Sequence, residues 1–271
     1  MDLHPRRAAF TIGSAFEGVR GNGSVREFSR LNVIVDRIRR GGIAVLLLLC
    51  CGVAAARADD DPTVRRVVVF GDSQAQGLAG GLQRVMIDDP RYKVLNHTHP
   101  GAALVHADGE WLGPIEDFVG KEKAEIAVVM FGANDRLDLR DDDGRYLHFR
   151  TDDWRAAYVQ RTDRILAALV GAGLKIVWCG NPIARSATYS ADMGYINDIY
   201  AAEVAHFGGE FLPLWTVIAD DQGQFTAYGL DRSGVTERLR NDDGIHFTAA
   251  GYELIAERVI SVLPSLQANE R

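Results

Sequence analysis

From residue 64 onward the chain alternates short apolar runs with amphipathic stretches, and that alternation limits the folds open to it. The runs 66–70, 92–96, 125–131, 174–179 and 210–214 are rich in Val, Ile and Leu and show no polar–apolar alternation. A strand that is apolar on both faces must be covered on both faces, which is the condition of a parallel sheet lying between helices. Helical patterns occupy 73–87, 113–121, 151–172 and 192–207, and a last one runs over 248–263, with Thr248 as its N-cap and Pro264 closing it. Within 151–172 the residues Tyr158, Ile165, Leu166, Leu169 and Val170 keep helical spacing and predict its buried stripe. The whole order predicts an α/β fold: a three-layer α/β/α sandwich around a five-stranded parallel sheet.

Two stretches interrupt the pattern. Residues 137–150 contain Asp141, Asp142, Asp143 and Gly144, a turn that predicts a hairpin. Residues 216–241 carry two further turn clusters, at 220–223 and 231–234. None of these acidic clusters has the regular ligand spacing of a calcium loop, so solvated turns describe them better. His97, His99 and His106 lack a matching carboxylate or cysteine pattern and read as surface or cleft histidines. Gly71, Ser73 and Gly77 superficially resemble a dinucleotide loop but lack its middle glycine. No metal and no cofactor is expected.

The first 58 residues stand apart from this pattern. Arg37, Arg39 and Arg40 precede an apolar run over 42–56, and Ala56, Arg57 and Ala58 form a small-x-small exit. These features predict a secretory signal peptide, with an uncleaved membrane anchor as the alternative, and an exported, periplasmic or extracellular location. Residues 1–32 lie upstream of an ordinary signal peptide, and an early start or a cytoplasmic tail would each account for them. The predicted division is therefore 1–58 as extension plus signal or anchor, and 59–271 as the functional domain. The first segment holds 9 of the 30 Lys/Arg and 4 of the 37 Asp/Glu, which leaves residues 59–271 with a net charge of −12. Such a surface argues against nucleic acid or anionic lipid as a partner. Cys50 and Cys51 sit inside the apolar run and are preceded by residues unlike those of a lipoprotein site, so only Cys179 remains beyond it. No disulfide can form within that part, and Cys179, at the end of an apolar run, is expected in the core.

Ligands of open α/β sheets bind at the carboxyl ends of the strands, and four segments should meet there. Gly71, Asp72 and Ser73 follow the first strand, and Pro100, Gly101 and Ala102 follow the second. Gly132, Ala133, Asn134 and Asp135 follow the third, and Asp243, Gly244, Ile245 and His246 precede the last helix. Serine is a poor nucleophile until a base takes its proton. His246 is the candidate base, and Asp243 the carboxylate that fixes its tautomer and stabilises the imidazolium. Alone, Ser73 reads as a helix N-cap, Asn134 as a turn residue and His246 as a structural histidine; together they form a catalytic set. Arg185, Tyr189, Tyr195 and Trp215 follow strand ends, but each is also an ordinary loop or helix residue. The chain has no G-x-S-x-G, so an α/β-hydrolase elbow is not supported.

The order and spacing of these four segments resemble the SGNH (GDSL-type) hydrolase superfamily, whose blocks carry Ser, Gly, Asn and His. The resemblance spans residues 66–263, and the stretch 220–241 with the Asp-Gly-Ile-His-Phe that follows is similar to a bacterial branch of unassigned function. It implies an SGNH-hydrolase/flavodoxin-like sheet. It also implies an oxyanion hole made of the backbone N–H groups of Ser73 and Gly101 and the side-chain amide of Asn134. Gln74 stands where the GDSL signature names leucine. The implied activity is a serine-dependent esterase that removes acyl, above all acetyl, groups from an extracytoplasmic carbohydrate or small ester. Two alternatives share the fold: a polysaccharide O-acyltransferase using the same triad, and a non-catalytic carbohydrate-binding protein.

Overall fold

The apolar runs assemble into one five-stranded sheet, and every pairing in it is parallel. A computed structural model of the chain describes residues 63–106 and 112–263. The expected signal segment, Cys50, Cys51 and Pro264 lie outside these residues. In chain order the elements are β1 (Arg65–Gly71), α1 (Ser73–Val85), β2 (Tyr92–Thr98), α2 (Leu112–Glu122), β3 (Ile126–Met130), β4 (Leu139–Arg140) and β5 (Tyr146–Leu147). They continue with α3 (Asp152–Gly171), β6 (Lys175–Cys179), α4 (Ala187–His206), β7 (Glu210–Leu212), β8 (Tyr228–Leu230), β9 (Thr236–Arg238) and α5 (Ala249–Ile260). The sheet order is β2-β1-β3-β6-β7.

The missing polar alternation has a direct cause, visible in β1. Val67 and Val69 point into a core packed by Leu78 and Leu82 of α1 and Tyr252, Ile255 and Val259 of α5. Val68 and Phe70 point the other way, toward Ile115 of α2, Trp154, Tyr158 and Leu166 of α3, and Ile196 and Tyr200 of α4. Both faces are dry, so period 2 persists in direction and vanishes in polarity. Cys179 closes β6 in that interior, fully buried, and desolvation pushes its thiol up to about 12.

Helix boundaries follow their caps. Thr248 and Thr151 accept hydrogen bonds from the backbone N–H groups of Gly251 and Trp154, so each is an N-cap. Helix α4 begins at Ala187, five residues before the expected start at Asp192, because Ser186 caps it through the N–H of Tyr189. Val170, expected in the buried stripe of α3, is 44% exposed and lies in the last turn, past the packed face. The two interrupting stretches form antiparallel hairpins, β4–β5 and β8–β9.

The approach of α5 to α1 fixes the site. A Cβ atom at Gly77 would lie 2.0 Å from the ring of Tyr252, and one at Gly81 would lie 2.5 Å from the Tyr252 carbonyl oxygen, both deep inside contact distance. Two glycines on one helix face therefore let the segment carrying residues 243–246 and α5 settle against the helix that begins at Ser73. Among the described residues, no helix is long and apolar enough to cross a membrane.

Candidate active site

In the order β2-β1-β3-β6-β7 the winding reverses between β1 and β3, and their carboxyl ends open a crevice. Ser73 follows β1 and Asn134 follows β3, so the two sequence candidates flank the switch point. Asp72, fully buried, ties the two strand ends together. Its Oδ1 accepts from the N–H of Gln74 at 2.8 Å and its Oδ2 from the N–H of Ala133 at 3.2 Å. Burial pushes its carboxyl up to about 7, against those N–H groups and with a contribution from the neighbouring Asp135.

The first turn of a helix presents N–H groups without helical acceptors. In α1 the cap Asp72 takes that of Gln74, while the N–H of Ser73 donates to no acceptor among the described residues. It is therefore available to an anion at the positive end of the helix. The Ser73 hydroxyl lies 2.7 Å from His246 Nε2, across 173 residues of sequence. His246 Nδ1 lies 2.6 Å from Asp243 Oδ2, and Asp243 Oδ1 accepts from the N–H groups of Ile245 at 2.8 Å and His246 at 2.9 Å. Partial burial would raise the Asp243 carboxyl, but these donors and the imidazole outweigh it and hold it below its ordinary range. An ionised carboxylate only accepts, so Nδ1 carries the proton and Nε2 is left to accept from the serine hydroxyl.

Gly101 adopts a φ of 82°, the left-handed conformation that favours glycine, in a turn where Ala102 N–H donates to His99 O at 3.1 Å. That turn is joined to β1 by the N–H of His99, which donates to Gly71 O at 2.9 Å. The side-chain amide of Asn134 donates to Ala102 O at 2.9 Å, which sets Asn134 beside the Gly101 turn and leaves its second N–H for another acceptor. Asp135, also fully buried, accepts from Val105 N–H at 3.0 Å and from Tyr158 OH at 2.8 Å, and Tyr158 in turn contacts Tyr200 OH at 2.5 Å. Desolvation raises its carboxyl to about 6. The structure thus joins Ser73, His246 and Asp243 by direct contacts and brings Asn134 to the Gly101 segment.

Two residues that the sequence does not tie to the histidine loop hold it. Gln74 is buried, and its Nε2 donates to Ile245 O at 3.0 Å while its Oε1 accepts from Tyr252 OH at 3.3 Å. The departure from the GDSL leucine is therefore a polar brace between α1, the loop and α5. Arg240 is fully buried, with its guanidinium 4.0 Å from the Phe247 ring centroid and 4.9 Å from that of Phe225. It donates to Ile183 O at 2.8 Å, Ile245 O at 3.1 Å and Gly244 O at 3.4 Å. Desolvation pulls its pKa down to about 10. Arg240 ends a stretch that reads as an insertion, and only its tertiary contacts reveal that it belongs to the site.

The remaining candidates scatter. Arg185 reaches the same loop, donating to Asp242 O at 2.6 Å, and the OH of buried Tyr189 donates to Ala133 O at 2.9 Å. Tyr195 packs by its ring against Phe149, and Trp215 is partly buried against the core. His97 packs against Phe118 and Phe70, and His99 lies against His97. Among the described residues no three His, Cys, Asp or Glu side chains group as a metal site.

The chain belongs to the DUF459 family, described as a protein of unknown function, which it matches over residues 66–262. No curated protein matches it. Among solved structures it is similar to TesA, with 19% identity, 74% of this chain and 99% of that chain covered, and a TM-score of 0.51. A GDSL-like lipase from Bacteroides thetaiotaomicron VPI-5482 aligns with 14% identity over 78% of this chain and 94% of its own, at a TM-score of 0.55. A catalytic mutant of Axe2, an acetylxylan esterase from Geobacillus stearothermophilus, aligns with 13% identity over 73% and 93%, at a TM-score of 0.51. The fold is that of the GDSL-type (SGNH) hydrolases.

Proposed function

We propose that the chain is a serine-dependent ester hydrolase with Ser73 as nucleophile, His246 as base and Asp243 as the carboxylate that orients it. The observation that carries this reading is the unbroken contact series from Ser73 Oγ through the imidazole to Asp243, at 2.7 and 2.6 Å. His246 Nε2 takes the hydroxyl proton as Oγ attacks the ester carbonyl, and the resulting imidazolium is stabilised by Asp243. The N–H groups of Ser73 and Gly101 and the free amide hydrogen of Asn134 stabilise the tetrahedral oxyanion. The imidazolium then protonates the departing alcohol, and water resolves the acyl-enzyme by the same path in reverse.

The exposure of the site supports water as the acceptor. Ser73 and His246 are only half-buried and the Asp243 side chain is 46% exposed, whereas transfer to a sugar hydroxyl requires water to be kept out. O-acyl groups, above all acetyl, on a carbohydrate or small ester are the proposed substrates, and residues 42–58 support action outside the cytoplasm.

The test is ester release by the full chain from p-nitrophenyl esters of acetate to octanoate, beside Ser73→Ala. Release that depends on Ser73 is the expected result. Release unaffected by Ser73→Ala would remove the assignment, and added polysaccharide that captures the acyl group would turn it toward transfer.

A further inference from the structure

We propose that Arg136 and Arg150 form a subsite for a carboxylate of the substrate, so that this enzyme acts on acidic rather than neutral esters; the proposal rests on the hydrolase reading and names its substrate class. Arg136 follows Asn134 by two residues, and its guanidinium lies 5.0 Å from the ring centroid of Tyr189. Tyr189 joins that guanidinium to the Asn134 segment: its hydroxyl donates to Ala133 O at 2.9 Å, and the carboxylates of Asp72, Asp135 and Asp243 act on it. Arg150, from the end of the β4–β5 stretch, stands at the same distance of 5.0 Å over Tyr195. Both arginines thus lie over tyrosines of α4, and Arg136 stands two residues beyond Asn134.

The two guanidinium groups converge on a single buried carboxylate. Arg136 Nε donates to Asp192 Oδ2 at 2.9 Å and Arg150 Nη1 to Asp192 Oδ1 at 3.1 Å. Each arginine has five N–H donors and spends one here; among the described residues no further acceptor takes the others. The arginine side chains remain 37% and 48% exposed while that of Asp192 is only 10% exposed, so the cations face solvent and their counter-ion does not. By formal count the group Arg136, Arg150 and Asp192 carries one net positive charge. It sits on a domain, residues 59–271, that carries −12 overall. An anion is drawn to such a point and repelled elsewhere on the surface. Planar forks held by a shared carboxylate suit bidentate recognition of a second one.

The backbone fixes where Arg150 starts. Arg150 has a φ of 68°, one of only two positive values at non-glycine residues among those described. It is the third residue of the turn that Thr151 N–H closes on His148 O at 3.1 Å, and from that turn its side chain reaches Asp192.

The experiment compares acetate release by the full chain from acetylated oligogalacturonate and acetylated xylo-oligosaccharide. The reacting group is the same and only the carboxylates differ. The expected kcat/KM is about tenfold or more higher on the acidic substrate, carried by KM and reduced by salt for that substrate alone. Arg136→Gln and Arg150→Gln should each remove about tenfold of that preference while leaving the neutral substrate unchanged. Equal rates on both substrates in the intact protein would overturn the subsite and leave the hydrolase reading standing. Equal losses on both substrates in the variants would reduce the arginines to a structural clamp. Calorimetry of Ser73→Ala with unacetylated oligogalacturonate separates the two readings. Binding that needs the arginines upholds the subsite even where no acetate is released, and absence of binding removes it.

Discussion

The serine corner and the histidine loop meet at 2.7 Å, yet they are built in different ways. Ser73 is placed by its neighbours in sequence: a buried strand ends, Asp72 caps a helix, and the hydroxyl stands at the first helical position. The loop of residues 243–246 contains no regular element. Its internal geometry is local, since Asp243 binds the N–H groups of Ile245 and His246 as well as the imidazole. Its position is set from elsewhere, by Gln74, Arg185 and Arg240 pulling on its carbonyls and by α5 packing on the glycine face of α1. Placement of the proposed nucleophile is therefore a property of secondary structure, and placement of the proposed base a property of packing.

This difference can be broken at several points. Ser73→Ala should lower turnover by about 10⁴–10⁶-fold with an almost unchanged thermal midpoint, because the hydroxyl contributes chemistry and little packing. Asn134→Ala should cost about 10²–10³-fold in kcat, measured with the same p-nitrophenyl esters, as one proposed oxyanion donor is lost. Arg240→Met attacks the loop from a distance. It strands the carbonyls of Ile183, Gly244 and Ile245, so stability should fall by about 1–3 kcal/mol in urea unfolding and kcat should fall with it. Unchanged kcat in that variant would mean that the loop holds its own position. Gln74→Leu restores the signature residue and removes a brace; a loss of about tenfold in kcat with little change in stability is expected.

The smallest effect is on pH dependence of stability. Asp135, with its carboxyl raised to about 6, holds a proton in the folded chain that the unfolded chain releases near its ordinary carboxylate range. The folded state then binds more protons, so this contribution is complete at low pH and is lost as pH rises toward and through about 6. Asp135→Asn should flatten that part of the stability curve, followed by thermal melts at stepped pH. An unchanged slope would mean that Asp135 is already ionised in the acid range.

Much of this was legible in advance, and the misses have physical reasons. All five strands lie where apolar runs stand without alternation, since burial on both faces imposes that composition. Each expected strand contains or overlaps its observed one, with ends displaced by at most two residues. The early start of α4 was hidden because Ser186 is one of several polar loop residues, and only its bond to Tyr189 marks it as a cap. Gln74 and Arg240 were hidden because a lone polar residue carries no sign of which distant carbonyl it will meet.

The sequence by itself determined the α/β alternation, the serine at a strand-to-helix corner, and a carboxylate and imidazole three residues apart. These depend on local burial and on bonds between near neighbours, which composition and spacing record. Only the tertiary structure decided that His246 reaches Ser73, that a buried arginine carries the loop, and that Arg136 and Arg150 share one aspartate. Those contacts join residues far apart in the chain, and their energy comes from desolvated hydrogen bonds and charges whose partners exist only once the layers have packed.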